Sequence, residues 1–216
     1  MPTPGSTPSI ERPRRRRLTA AARRTRILDA AERLFADAGY AGASIDRIAD
    51  AAGVSAPVIY DHFSSKRELF AAVMERARDE LTARGAAVMS LDAPLEARVR
   101  AGIEAFFAYV EEKPAAARVL LVTHRGTAEL QEAAGRVQAE ATARLAALMS
   151  AEPGLFPHET DRERRLELVV EFVKQGMHGV AEWWADHPDV TREVVVDAVA
   201  EVVWSGLAAG LEPRAV

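Results

Sequence analysis

A phenol, an imidazole and an ammonium group, those of Tyr60, His62 and Lys66, fall within seven residues of one another, and the hydroxyls of Ser44 and Ser55 precede them. Upstream lies an unbroken run of guanidinium groups, Arg14, Arg15, Arg16 and Arg17. Hydroxyl and ring N–H groups bond to base edges and phosphate oxygens, while guanidinium and ammonium groups neutralise phosphates. The other chemistries these residue types support lack their spacing. His62, His124, His158, His178 and His187 include no pair set as metal ligands on one helix. His178 and Glu182, four apart, read as a helix-surface ion pair. There is no glycine-rich phosphate loop and no Gly-x-Ser-x-Gly elbow. Zero cysteines remove disulfides, thiolate metal sites and a cysteine nucleophile. No catalytic residue, metal or cofactor is expected, and polyanion recognition is the chemistry left.

The elements that must position these groups are helical. Residues 1–17 are rich in Pro, Ser, Thr and Gly before the arginines, and are expected to form a disordered basic arm. Read alone the arm is a solvated tail; on a polyanion, each phosphate it neutralises steepens the logarithmic salt dependence by about one unit. A first helix is expected over Thr19 to Ala38, with Ile27, Ala30, Ala31, Leu34 and Phe35 at helical spacing and Gly39 to end it. Ser44 caps a second helix whose inner face is Ile45, Ile48, Ala49 and Ala52. Gly53-Val54 makes a turn, and Ser55 is placed to cap a third, short helix with Pro57 in its first turn. Ile59 and Phe63, four apart, face inward; Val58, Tyr60, Asp61 and His62 then turn outward. Ser65-Lys66-Arg67-Glu68 forms a capping box for a fourth helix, Lys66 to about Arg84.

Further helices follow over Ala93–Lys113, Ala115–His124 and Ala128–Met149, then from a capping box at Thr160 and Glu163 to about Asp186, and finally Thr191 to about Leu211. The expectation is an all-α chain. Residues 18–66 form a helix-turn-helix unit, 67–84 a connecting helix, and 85–216 a larger helical domain. The formal net charge of −4 conceals an asymmetry: residues 1–67 carry 12 Lys and Arg against 7 Asp and Glu, the remainder 16 against 25. A basic front end on an acidic protein suits a nucleic-acid surface at one end. No run reaches the ~18 apolar residues needed to span a bilayer, and no secretory apolar region follows the basic start, so no membrane partner and a cytoplasmic location, on the nucleoid when DNA-bound, are expected.

From Arg23 to Arg76 the chain closely resembles the DNA-binding domain of the TetR family of transcriptional regulators. The string that carries the resemblance is Ile27-Leu28-Asp29-Ala30-Ala31-Glu32-Arg33-Leu34-Phe35, Gly39-Tyr40, Ser44, Ile48-Ala49, Ala52-Gly53-Val54-Ser55, Ile59-Tyr60, His62-Phe63 and Ser65-Lys66-Arg67-Glu68-Leu69. The resemblance implies double-stranded DNA with a palindromic operator as partner, a homodimer, and a small-molecule effector that releases a repressor. It implies that Tyr60 touches DNA backbone and reaches a base, that His62 and Lys66 contact phosphate, and that Ser44 both caps and contacts phosphate. Ser55, Ala56, Pro57 and Val58 begin the reading helix. Ala-Pro-Val departs from the family's more polar pattern, which favours apolar contact with thymine methyls.

Both final long helices are apolar on more than one side, which requires burial on both faces. The dimer interface is expected at Val169, Phe172, Val173, Gly176, Val180 and Trp184 of the first, and at Val195, Val199, Val202, Val203 and Gly206 of the second. A largely apolar effector pocket is expected among Phe106, Phe107, Tyr109, His124 and Met149, with Phe156, Gln175, Met177, His178 and Trp183 opposite; the same residues at helical spacing also read as plain core. Two other classes remain in view. A helical adaptor with a vestigial front end would show no salt-dependent DNA affinity, and an all-α enzyme would show turnover depending on residues beyond Arg84.

Overall fold

The computed structural model describes residues 19–121, 128–152, 154–157 and 160–211, and in 128–134 the backbone alone. Arg14 to Arg17 and His124 lie outside the described residues. The fold is all-α: α1 Ala20–Gly42, α2 Ile45–Ala52, α3 Ala56–Tyr60, α4 Lys66–Met89, α5 Leu95–Glu112, α6 Pro114–Leu121, α7 Ala128–Ser150, α8 Arg162–Ala185 and α9 Arg192–Ala208. Among the described residues the only extended pairing is a single bridge between Leu155 and Leu211.

Several boundaries differ from the expected ones, each for a local reason. Gly39 does take a left-handed φ of 68°, yet one further helical turn continues beyond it to Gly42. Gly85 does not end α4, because a glycine inside a helix costs only about 1 kcal/mol; the helix runs on to Met89. The cap of α8 is Asp161 rather than Thr160, its carboxylate accepting from the Arg164 N–H. Ser55 caps α3 with its backbone only: Pro57 removes one N–H, and the Val58 N–H donates to the Ser55 carbonyl at 3.0 Å. Ser44 and Ser65 do cap with their side chains, accepting from Arg47 and Glu68. The Glu68 carboxylate reaches Ser64 instead of closing the box on Ser65.

Three clusters form the core. The first gathers Ile27, Phe35, Ile48, Ile59, Phe63 and Leu69 from α1 to α4, and also takes Val119 of α6 and Val137 of α7. The second joins α5, α6, α8 and α9 around Phe106, Phe107, Tyr109 and Val196. The third packs Leu155, Phe156, Leu166 and Leu207 at the end remote from α3. α4 spans the first two clusters, and Arg76 on it holds Asp29 at 2.6 Å and Glu32 at 2.7 Å, both on α1.

Candidate nucleic-acid interface and interior cavity

The geometry of α2 and α3 follows from Gly53. Its backbone sits at φ 65°, ψ 38°, the left-handed region that only glycine enters without steric cost. The Gly53 N–H donates to Asp50 and the Val54 N–H to Ala49, so two of the four terminal carbonyls of α2 are satisfied as the chain reverses. Ile59 and Phe63, buried against Ile48 and Phe35, then fix which face of α3 points outward. Tyr60 stands 53% exposed at its end. Ser55 and Pro57 are exposed, and Ala56, Val58 and His62 are half-buried. Ser44 is exposed at the start of α2. Each of these residues is at least partly open to solvent.

Lys66 packs on an aromatic ring. Its ammonium lies 4.4 Å above the Tyr40 ring, and its partial burial lowers its pKa from the ordinary lysine value. The ring in turn meets Phe35 and Phe70. Lys66 is thus held in place beside α3 by a cation–π contact.

Sequence reasoning passed over further cations here. Arg24 lies 4.9 Å over the Phe63 ring, and the Arg26 guanidinium packs against Gly53, where an added Cβ would meet it at 3.1 Å. Among the described residues, Arg23, Arg26, Arg47 and Arg67 join no ion pair, whereas Arg76, Arg78, Arg84, Arg98 and Arg100 all hold carboxylates. Cations without carboxylate partners mark the end of the molecule able to take on phosphates. The signal available in the sequence was the three arginines at 23, 24 and 26 ahead of the first apolar stripe.

A cavity of about 210 Å³ lies between α4, α5, α7, α8 and α9. Its walls are mostly aliphatic, with Leu81, Val99, Ile103, Leu145, Val173 and Met177 among them. Of the expected pocket residues, Phe106, Met149, Met177 and His178 line it. The others stand elsewhere. Phe107 is fully buried edge-on to Phe106 and Trp184, and Tyr109 is buried with its hydroxyl donating to the Ala77 carbonyl. Gln175 turns to Glu171, and Trp183 is exposed and stacked on His187. Phe156 packs beneath the Arg165 guanidinium. Sequence periodicity marked these as inward or aromatic, and only the tertiary arrangement separates core from cavity wall.

The charged groups of the cavity wall are unusual. Lys174, 8% exposed, donates to the Gln138 carbonyl, to Thr142 at 2.6 Å and to Glu171 at 2.7 Å. Burial works to raise the Glu171 pKa, but the donors Gln175, Lys174 and Thr142 outweigh it and hold the carboxyl at about 2, below the ordinary 4.5. A depressed folded-state pKa gives stability that is complete above the unfolded value and is lost as pH falls from about 4.5 through 2. Denaturant unfolding of Glu171→Gln is therefore expected to show a flatter pH dependence than wild type between those limits.

The exposed large hydrophobic residues of α8 and α9 correct the expected interface. Leu168, Phe172 and Trp183 on α8, with Val194 and Val202 on α9, are open to solvent, Phe172 at 78%. Gly176 and Gly206 share that exposed face, so of the expected interface residues Phe172, Gly176, Val202 and Gly206 lie on it. Val169, Val173 and Val203 line the cavity instead. Val180, Trp184, Val195 and Val199 pack into the second core cluster. Both stripes satisfy helical periodicity, and the one first expected at the interface faces the cavity and the second core cluster.

Comparison with known proteins follows the same division. Residues 27–73 match the family model of bacterial regulatory proteins, tetR family, and residues 95–206 match that of the tetracyclin repressor-like C-terminal domain. The transcriptional activator FasR of Mycolicibacterium smegmatis is 33% identical over 192 residues, 88% of this chain and 85% of that protein. The repressor Rv1474c of Mycobacterium tuberculosis is 47% identical over 70 residues, 32% of this chain and 35% of that one. In structure, a TetR-like regulator from Rhodococcus sp. RHA1 superposes with a TM-score of 0.70 at 27% identity, covering 89% of this chain and 99% of its own. The regulator FadR of Bacillus subtilis, solved with stearoyl-CoA, gives 0.68 at 18% identity over 84% of this chain and 98% of its own, a likeness of fold.

Proposed function

Because the chain belongs to the TetR family of transcriptional regulators, and is not an enzyme, we propose that it acts as a homodimer on a palindromic operator and is released by a small apolar effector. The observation that carries the DNA part is the α2–turn–α3 geometry, a five-residue helix presenting Tyr60 on a rigid base. Residues 18–66 form the proposed reading unit, with the arm 1–17 ahead of it, 67–84 the connection, and 85–216 the part that binds effector and pairs. Tyr60 touches the DNA backbone and reaches a base, the Ser55 to Val58 segment begins the reading helix, and Ser44, His62 and Lys66 meet phosphates. Two reading helices related by a dimer axis then lie about 34–36 Å apart, one turn of DNA, or a near multiple of it.

Effector binding in the cavity favours a dimer whose spacing no longer fits the operator. α4 is the proposed transmitter, since it lines the cavity and its Arg76 grips α1. An effector shifts the equilibrium only by its difference in affinity for the two states. Repression is the proposed sense, relieved when the protein leaves the DNA.

Selection of duplexes from a random pool by the purified protein tests this reading. Enrichment of a palindrome by wild type, absent with the Tyr60→Ala, His62→Ala variant, is the expected result. No enrichment even at low salt sinks it, and a helical adaptor then takes its place.

A further inference from the structure

We propose that the ligand of the cavity is an amphiphile with a single carboxylate, its head seated between Arg78 and Lys174 and its apolar tail running along α4 toward Met89. The assignment rests on the effector reading above and adds the chemical class of the ligand.

The cavity is aliphatic along most of its length, and its cations sit at its two ends. Arg78 and Lys174 approach from α4 and α8, and both are tied to one stretch of α7: Arg78 to Glu140 at 2.7 Å, Lys174 to Gln138 and Thr142. The two cations therefore mark one end. Arg98 stands at the other, bonded to Glu152 at 2.6 Å and to the carbonyls of Met89 and Ala93, a pin that closes the α4–α5 connection.

A carboxylate entering an apolar cavity must meet a cation, because an unpaired buried charge is prohibitively costly. The cations at the Arg78 end can change partners. Their carboxylates lie toward solvent, Glu140 being 58% exposed and Glu171 42%, so either returns to water when displaced. The ligand's carboxylate takes the place of the one it displaces, so the buried cation stays paired throughout the exchange. Arg78 commits three of its five N–H groups, two to Asp79 and one to Glu140. Arg98 lacks that freedom, since two backbone carbonyls hold it and its carboxylate, Glu152, is only 23% exposed.

The tail has room. From Arg78 to Met89, the span of α4 along the cavity, the helix rises about 16 Å at about 1.5 Å per residue. An extended chain advances about 1.2 Å per bond, as the polypeptide backbone does, so about 13 bonds fit. Gly85 and Gly102 line this stretch, and a Cβ placed on either meets nothing within 4 Å. Exchange of Glu140 for the ligand's carboxylate loosens α4 from α7 two residues beyond the Arg76 grip on α1.

Calorimetric titration of the full-length protein at pH 8 with dodecanoate and with dodecanol tests the proposal, after thermal unfolding has shown each variant to be folded. Dodecanoate is expected to bind at least about tenfold tighter, a difference of about 1.4 kcal/mol. The Arg78→Met, Lys174→Met variant should lose that preference while still binding dodecanol. Should that pair fail to fold, Arg78→Gln alone should reduce the preference several-fold. Gly102→Leu should weaken both ligands. Equal affinity for the two probes, or a preference that survives in the variants, overturns the carboxylate assignment while leaving the cavity as an effector site. Absence of binding by either probe to folded protein also overturns it. The expected preference with no change in operator affinity upholds the site and refutes the effector reading instead.

Discussion

Phe172→Glu is expected to convert the protein from a dimer to a 23.4 kDa monomer and to weaken operator binding by about 100-fold or more. Phe172 is 78% exposed within the protomer, so the substitution leaves the protomer's own core intact. It lies centrally in the stripe of Leu168, Gly176, Gly179 and Trp183 on α8, beside Val194, Ala198 and Val202 on α9. In a two-fold interface every substitution occurs twice, and two carboxylates then meet near the axis. Loss of a central aromatic anchor costs about 2–4 kcal/mol, each 1.4 kcal/mol being tenfold in affinity. Sedimentation and operator titration of the same preparations check it. A Phe172→Glu protein that remains dimeric and binds normally refutes the α8–α9 interface. The control is Val195→Ala, a buried position, which should reduce stability without changing the subunit count.

The second large effect is on stability. Phe107→Ala is expected to destabilise the protein by about 3–5 kcal/mol, the usual result of removing a fully buried aromatic ring. At about 2–4 °C per kcal/mol for a chain of this size, the Tm falls by about 10 °C. The ring fills the space between Phe106 and Trp184, with edge-to-face centroid distances of 5.1 and 5.9 Å, and has no free surface. Ligand binding by the variant at low temperature should change little, because Phe107 is absent from the cavity wall. A variant of near-normal Tm with impaired ligand binding places Phe107 on the cavity after all.

How far each of these sites was legible depends on whether local chemistry or tertiary packing decides it. The turn at Gly53 could be read directly: a cap, an apolar inner face and a glycine flanked by a second cap leave the backbone few alternatives. Ser55 shows the limit even there, since the Val58 N–H three residues later goes to the Ser55 carbonyl instead of its hydroxyl. On α8 the sequence offers two apolar stripes one residue apart, Leu168 with Phe172 and Val169 with Val173, both obeying the helical period. Their fates diverge because the cavity and α7 occupy one side only, which periodicity cannot express. The same holds for Phe106 and Phe107, adjacent in sequence and assigned to wall and core by the neighbours they meet. Cations without carboxylate partners, such as Arg26 and Arg47, become visible only once the carboxylates of the other helices are seen to be taken.

Gly85 and Gly102 have a consequence for how such a protein can be improved in the laboratory. Each sits inside a helix facing empty space, so alanine fits without a clash, and at such positions glycine to alanine stabilises by about 0.4–1 kcal/mol. The same methyl groups narrow the volume that a ligand must enter. A selection for heat resistance alone would therefore reward the replacements that erode the response, and a library screened for both properties at once would have to find its stability elsewhere.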